Sequence, residues 1–262
     1  MATPRVMVLR VPGAYSDQET RYALELAGAK AEIRSLGWMA EELQPLHNFQ
    51  ALVLPGGSSY ADCFSPGRMW AAKLNHILYP RLDAFLGKGG FVIGINNGFQ
   101  ALVQAGWLPE SKWRDSHDRD ISLLLNASGR YESFWPRCLV PATTLCPLFE
   151  PGEVWEFPLT CSCGRLAERT AGQMAHWLDS GFVTLRYAAR DGSGPAAEEG
   201  DNPTGSILAV AGLCDRTGRI MGMMLSPERC LTAENHPRWR REKSSGEGDG
   251  LKWFRRMVKI LS

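Results

Sequence analysis

The sequence predicts an α/β protein with a mostly parallel central sheet and helices on both of its faces. Three observations carry this. Over the first 110 residues, short aliphatic or β-branched runs alternate with segments of helical period. Two of those strand-like runs lead into glycine-containing loops, PGG at 55–57 and INNG at 95–98. The chain has 262 residues, of which 44% are hydrophobic and 22% charged, enough to bury a full core.

Taken in order, residues 5–11 (RVMVLRV) read as a buried strand. A helix follows over 18–28, with Tyr22, Ala23, Leu26 and Ala27 on its apolar face and Gly28 as its stop. Residues 51–54 form the second strand, and a helix around 75–86 precedes a third strand at 91–95. Strands separated by helices pair in parallel, and ligands on such sheets sit at the carboxyl ends of the strands. The loops after Val11, Leu54 and Ile95 are therefore where chemistry is expected. Further on, residues 206–225 read as two apolar runs around a turn at 215–218, a hairpin. Segments 191–202 and 242–250 are polar, glycine-rich surface loops, and 251–261 has the period of an amphipathic helix. Apolar elements resume on both sides of each loop, so a single domain over 1–262 is expected.

Composition narrows the function. Lys plus Arg number 29 against 28 Asp plus Glu, a net charge of +1, which provides no electrostatic footprint for nucleic acid or an acidic membrane. No apolar run approaches the roughly 20 residues of a membrane span, and the amino terminus enters a strand pattern without a signal-peptide layout. A cytoplasmic protein is expected. Its seven cysteines, an odd and scattered set, suggest reduced thiols rather than a disulfide framework.

The most informative stretch is GGFVIGINNGFQALVQ at 89–104. A strand, a sharp glycine-flanked turn and a helix make the geometry of a nucleophile elbow, with residue 96 at its apex. An ordinary βα turn explains the same fragment, and Asn96 tolerates positive φ well enough to hold either. A carboxamide is no nucleophile toward an amide carbonyl.

Residues 94–100 (GINNGFQ) and 54–62 (LPGGSSYAD) resemble the class I glutamine amidotransferases, above all the glutaminase subunit family of phosphoribosylformylglycinamidine synthase. That family shows a Gly-Ile/Val-Cys-Asn-Gly-x-Gln elbow, a Pro-Gly-Gly-Phe-Ser-Tyr-Gly-Asp loop and a Pro-His-Pro-Glu-Arg motif. The resemblance continues colinearly through VPGAYSDQET at 11–20, LLNASGRYESFW at 124–135, NPTGS at 202–206, AGLCD at 211–215, LSPER at 225–229 and HPRW at 236–239. It implies a flavodoxin-like three-layer sandwich. It also implies a glutaminase that passes ammonia to a synthetase subunit, with no cofactor and no metal.

The departures fall on the chemistry. The family's cysteine nucleophile corresponds to Asn96 and its histidine base to Ser226, while the triad glutamate is retained as Glu228. With nothing left to orient, Glu228 reads equally as a surface or structural carboxylate. The family's His-x-Glu-Gly segment falls on Cys161-Ser162-Cys163-Gly164. Retained are Gly56, Gly57 and the amide of Asn97, which present N–H groups toward a carbonyl, and Gln100 one helical turn on; these are the expected glutamine-binding positions. A pseudo-glutaminase that binds or regulates is expected. The alternative is a working amidotransferase subunit that uses a displaced cysteine, Cys63 or Cys161, or free ammonia.

Other residues carry weaker signals. Cys161 and Cys163, with Cys138 and Cys146 upstream, are conceivable thiolate ligands, but without C-x-x-C pairs or a histidine cluster half-buried, unreactive thiols are favoured over a metal site. His176 and His236 are isolated, with structural or solvent-facing roles. Trp107, Trp113, Trp135, Trp155 and Trp177 suit core packing or an interface. Arg238, Trp239, Arg240 and Arg241 are candidate contacts to the synthetase subunit or a paralogue of it, or else a solvated face.

Overall fold

Nine strands join into one sheet in the computed structural model, which describes residues 2–42, 46–110, 119–191, 193–196 and 200–262. The amino-terminal half runs β1 (Arg5–Arg10), α1 (Asp17–Leu26), β2 (Lys30–Ser35), α2 (Leu36–Glu41) and β3 (Ala51–Leu54). It continues through α3 (Arg68–Ile77), α4 (Tyr79–Gly87), β4 (Phe91–Ile95) and α5 (Asn97–Gln104). Six short strands follow: β5 (Ile121–Leu124), β6 (Glu132–Phe134), β7 (Arg137–Leu139), β8 (Val154–Glu156), β9 (Leu159–Cys161) and β10 (Arg165–Glu168). The chain closes with α6 (Gln173–Asp179), β11 (Val183–Tyr187), β12 (Val210–Cys214), β13 (Ile220–Met223), α7 (Trp239–Glu242) and α8 (Asp249–Leu261).

The sheet order is β2-β1-β3-β4-β13-β12-β11-β7-β8. The five strands from β2 to β13 are parallel, with Leu54 opposite Gly94 and Ile95 opposite Met223. Beyond β13 the pairing turns antiparallel. Strands β3, β4 and β13 are buried at every residue, as an apolar run covered on both faces must be. The β1-to-β2 connection steps one way along the sheet, whereas β2-to-β3 and β3-to-β4 step the other way. Right-handed crossovers then place α1 on one face and α2 to α5 on the other. Helix α8 packs on α1 and α3 packs on α5, completing three layers.

This reversal parts the loops after β1 and β3 and creates the crevice where ligands of such sheets bind. The two loops are laced together across it: Ser58 N–H donates to Gly13 O (2.8 Å), Tyr60 N–H to Pro12 O (2.7 Å) and Ser16 N–H to Gly56 O (3.3 Å).

The structure corrects several local expectations. Helix α1 buries Thr20, Ala23 and Leu24, a stripe spaced i, i+3, i+4, while Tyr22 and Leu26 on its flank are exposed. Gly28 does end it: its φ is +102°, and the next N–H, of Ala29, reaches back to Leu24 O. The expected helix over 75–86 is two helices broken at Leu78, because Pro80 opens α4 and cannot continue the helical hydrogen bonding of α3. Residues 207–209 form a 3-10 turn, so the hairpin strands begin only at Val210; its turn closes with Gly218 N–H on Asp215 O (3.0 Å). All seven cysteines are free thiols. No helix among the described residues is long and apolar enough to cross a membrane. Trp107, Trp155 and Trp177 are core residues and Trp135 is half-buried, while Trp113 lies outside the described residues.

Candidate active site

The turn after β4 is an elbow. Asn96 has φ +51° and ψ −109°, a left-handed conformation that a side chain adopts only under constraint. The constraint is hydrogen bonding on both sides. Asn96 N–H donates to Met223 O on the neighbouring strand (2.8 Å), and Asn96 O accepts Gln100 N–H (3.0 Å), the first turn of α5. Close packing finishes the turn: a Cβ on Gly98 would stand 2.0 Å from Leu54 O, so only glycine fits between α5 and β3.

The Asn96 side chain is buried, and its amide group is spent. Nδ2 donates to Thr160 O (3.0 Å) on β9 and to Met224 O (2.9 Å) just past β13. The residue at the apex thus ties the main sheet to the short β6–β9 pair.

Gly56 and Glu228 complete the apex. The point where a Gly56 Cβ would lie is 3.4 Å from the Asn96 Cβ, 3.4 Å from Ser16 Oγ and 3.5 Å from Glu228 Oε1. Gly57 is at φ +145° with the Gly13–Tyr15 backbone pressed against it, so a side chain is excluded there as well. No sulfur is among the nearest neighbours of either glycine. Among the described residues, no acceptor meets the N–H of Gly57, in the loop after β3, or of Asn97, at the first position of α5.

Glu228 is not the surface carboxylate that one reading of the sequence allowed. It sits in a 3-10 turn at Pro227–Arg229, 3% exposed, and neither carboxylate oxygen has a hydrogen-bond partner. Burial pushes its pKa up to about 8, with its own backbone N–H and the Arg229 charge pulling weakly the other way. Arg229 cannot neutralise it well because it is engaged elsewhere: with Glu19 (3.1 Å), with Ser16 Oγ (3.2 Å) and over the Tyr15 ring. Ser226 is buried beside this turn, held by its N–H on Pro158 O (2.9 Å). A serine hydroxyl offers no group that accepts a proton near neutrality.

The carboxamides of Asn97 and Gln100 are occupied by the protein. Asn97 Oδ1 accepts Ser59 N–H (2.9 Å), and Asn97 Nδ2 donates to Asp62 Oδ1 (3.2 Å) and to Gln100 Oε1 (2.8 Å). Gln100 Nε2 in turn donates to Cys163 O (2.6 Å). This chain of bonds runs from the glycine loop across α5 to the 161–164 loop. The side chains of Asn97 and Gln100 thus brace the neighbouring loops.

Burial raises the pKa of Cys161 and Cys163. Cys161 Sγ donates to Asn126 Oδ1 (3.7 Å), and burial pushes its pKa up to about 12. Burial also raises that of Cys163, with the Asp62 charge adding to it. Asn126 further accepts Gly164 N–H (2.9 Å), so it organises the loop that carries both cysteines. Cys63 is exposed. Among the described residues, no three His, Cys, Asp or Glu side chains converge to hold a metal. His176 is exposed, whereas His236 packs edge-on against Trp135 with Nε2 2.8 Å from Glu156 Oε2.

Sequence reasoning singled out Gly56, Gly57, Asn96 and Glu228, and the structure brings them together, with Ser226 on the same turn as Glu228. It missed Ser16, Asp62 and Asn126 as organisers. Ser16 was within reach, since it follows β1 at the crevice where such loops converge.

Residues 3–260 match the model of the CobB/CobQ-like glutamine amidotransferase domain. Phosphoribosylformylglycinamidine synthase subunit PurQ of Dehalococcoides mccartyi is 34% identical, covering 99% of this chain and 98% of that one. The corresponding subunit of Thermus thermophilus is 32% identical over 98% of this chain and 99% of its own. A chain of the structure described as PurLQS from Thermotoga maritima superimposes with a TM-score of 0.70 at 26% identity, all of each chain being covered. By the match over residues 3–260 and these relatives, the chain belongs to the CobB/CobQ-like glutamine amidotransferase family.

Proposed function

We propose that this protein is a PurQ-type subunit of a phosphoribosylformylglycinamidine synthase in purine biosynthesis that has lost the glutaminase step and serves as a binding or regulatory component. One observation carries the reading: the apex of an otherwise complete elbow is Asn96, whose amide hydrogens are both donated to backbone carbonyls. Glutamine hydrolysis in this fold needs a nucleophile that attacks the carboxamide carbon, a base that takes and returns a proton, and N–H donors for the oxyanion. Here the donors at Gly57 and Asn97 remain, the nucleophile is an amide and Ser226 supplies no base. Glu228, uncharged at neutral pH, would be left to line the pocket. Glutamine or a related amide is the ligand that such a pocket suits.

The synthetase subunit of such relatives, or a paralogue of it, is the partner in this reading, which also takes residues 1–262 as a single amidotransferase-type domain acting in the cytoplasm. Of the two thiols considered as a displaced nucleophile, Cys161 is disfavoured, because it is bonded to Asn126 and burial raises its pKa.

The test is glutamate release from glutamine by the purified chain, alone and mixed with the synthetase subunit from the same organism. No release above the blank is expected in either case. Turnover abolished by Cys63→Ser, Cys161→Ser or Cys163→Ser would overturn the reading and establish a working amidotransferase.

A further inference from the structure

A concave site lies beside β6, whose partner strand β9 is bonded to the elbow through Thr160. It is a groove of about 410 Å³ between the β6–β7 segment, the end of β11 and the loop leading into α7. That volume falls within the roughly 300–1,000 Å³ of small-molecule sites. Its wall combines two aromatic residues, Phe134 and Trp135, with four arginines, Arg137, Arg190, Arg238 and Arg241, against one carboxylate, Asp201.

The arginines are prepared rather than satisfied. Glu156, behind the wall, takes Arg137 Nε on one oxygen (2.6 Å) and Arg238 Nη2 on the other (2.7 Å). Arg137 Nη1 caps Arg190 O (3.1 Å), and Arg238 Nε pairs with Glu242 (2.7 Å). This fixes both guanidinium planes while leaving Arg137 Nη2 and Arg238 Nη1 without a partner among the described residues. Arg190 stands 3.6 Å from Asp201, and Arg241 is exposed with no carboxylate among the described residues. Trp135 is braced by the edge of His236, ring centroids 4.8 Å apart at 81°, so a planar plate stands beside the fork of donors.

We propose that this groove binds a nucleoside monophosphate, the phosphate on the unspent edges of Arg137, Arg238 and Arg241 and the base against Trp135. A phosphate presents three oxygens to several guanidinium groups at once, and Arg is the side chain best matched to it. The indole and Phe134 reward a flat ring, which an inorganic anion lacks. The site is separate from the elbow and does not depend on whether glutamine is hydrolysed there.

Calorimetric titration of the whole chain with AMP, adenosine, inorganic phosphate and an acidic heptapeptide decides it. AMP should bind, with adenosine and phosphate each at least about tenfold weaker. Arg241→Glu, at an exposed and unpaired position, should weaken AMP by about tenfold or more with the thermal midpoint unchanged. Trp135→Leu should weaken AMP but leave phosphate as it was. Absence of AMP binding, equal binding of phosphate and AMP, binding of the peptide in place of AMP, or an unaffected Arg241→Glu variant would each overturn the proposal.

Discussion

Asn96 and Glu228 meet over Gly56: the position of a Gly56 Cβ is 3.4 Å from the Asn96 Cβ and 3.5 Å from Glu228 Oε1. They lie 132 positions apart in the chain, yet the parallel pairing of β4 with β13 delivers both to one end of the sheet. The absence of a hydrogen-bond partner for Glu228 and the commitment of the Asn96 amide set the expectations that follow.

Stability should fall as pH rises through the range set by Glu228. Its ordinary pKa of 4.5 applies in the unfolded chain and about 8 in the folded one. Between those values the folded state holds a proton that the unfolded state has lost, so each pH unit costs about 1.4 kcal/mol of stability. Below the window both states are protonated, and above it the cost is complete. Glu228→Gln should flatten this dependence, matching the unaltered protein near pH 4.5 and exceeding it by a few kcal/mol at pH 9. Urea denaturation across pH 4–9 measures it, and parallel curves for the two proteins would refute the assignment.

If the proposed loss of the glutaminase step is right, a thiol placed at position 96 should not by itself give hydrolysis. Asn96→Cys supplies a nucleophile, but Ser226 provides no base, and the residues of such a site act as a unit. Glutamate release should appear only in the Asn96→Cys/Ser226→His double variant. The single variant should also lose about 1–3 kcal/mol, since Thr160 O and Met224 O lose their donor and a β-carbon with no local hydrogen bond must hold φ +51°.

Gly98→Ala should be among the most damaging single changes in the protein. Its methyl group would lie 2.0 Å from Leu54 O and 2.6 Å from Leu54 C, backbone atoms of a fully buried strand. Either α5 withdraws from β3 or the elbow opens, at a cost of about 3 kcal/mol or more. Chemical denaturation and soluble yield report on it.

Native protein should present one fast-reacting thiol. Cys63 is exposed and the other six cysteines are buried, with burial raising the pKa of Cys146 to about 12. A thiol-reactive dye should therefore label one equivalent rapidly and seven only in denaturant, with Cys63→Ser removing the fast phase.

Much of this architecture was legible because its signals are local. Continuous apolar runs announced β1, β3 and β4, and GINNG announced the elbow, since a strand running into a tight turn and then a helix leaves few conformations for residue 96. The burial of Glu228 was not legible. It depends on the 3-10 turn at 227–229 packing against α8 and α1, contacts that no spacing within LSPER encodes. The apolar face of α1 was misread for a similar reason: Tyr22 and Leu26 satisfy a helical period, but α8 and the sheet select the adjacent stripe. The bonds of Asn97 and Gln100 likewise join segments up to 63 residues apart.

The two bonds from the Asn96 amide have a mechanical consequence. Thr160 belongs to β9, β9 pairs with β6 through Phe134 opposite Leu159, and Phe134 forms part of the groove wall. Elbow and groove therefore share one three-residue strand pair as a common lever. A movement of β9 must then either carry Asn96 with it or break the amide bond to Thr160.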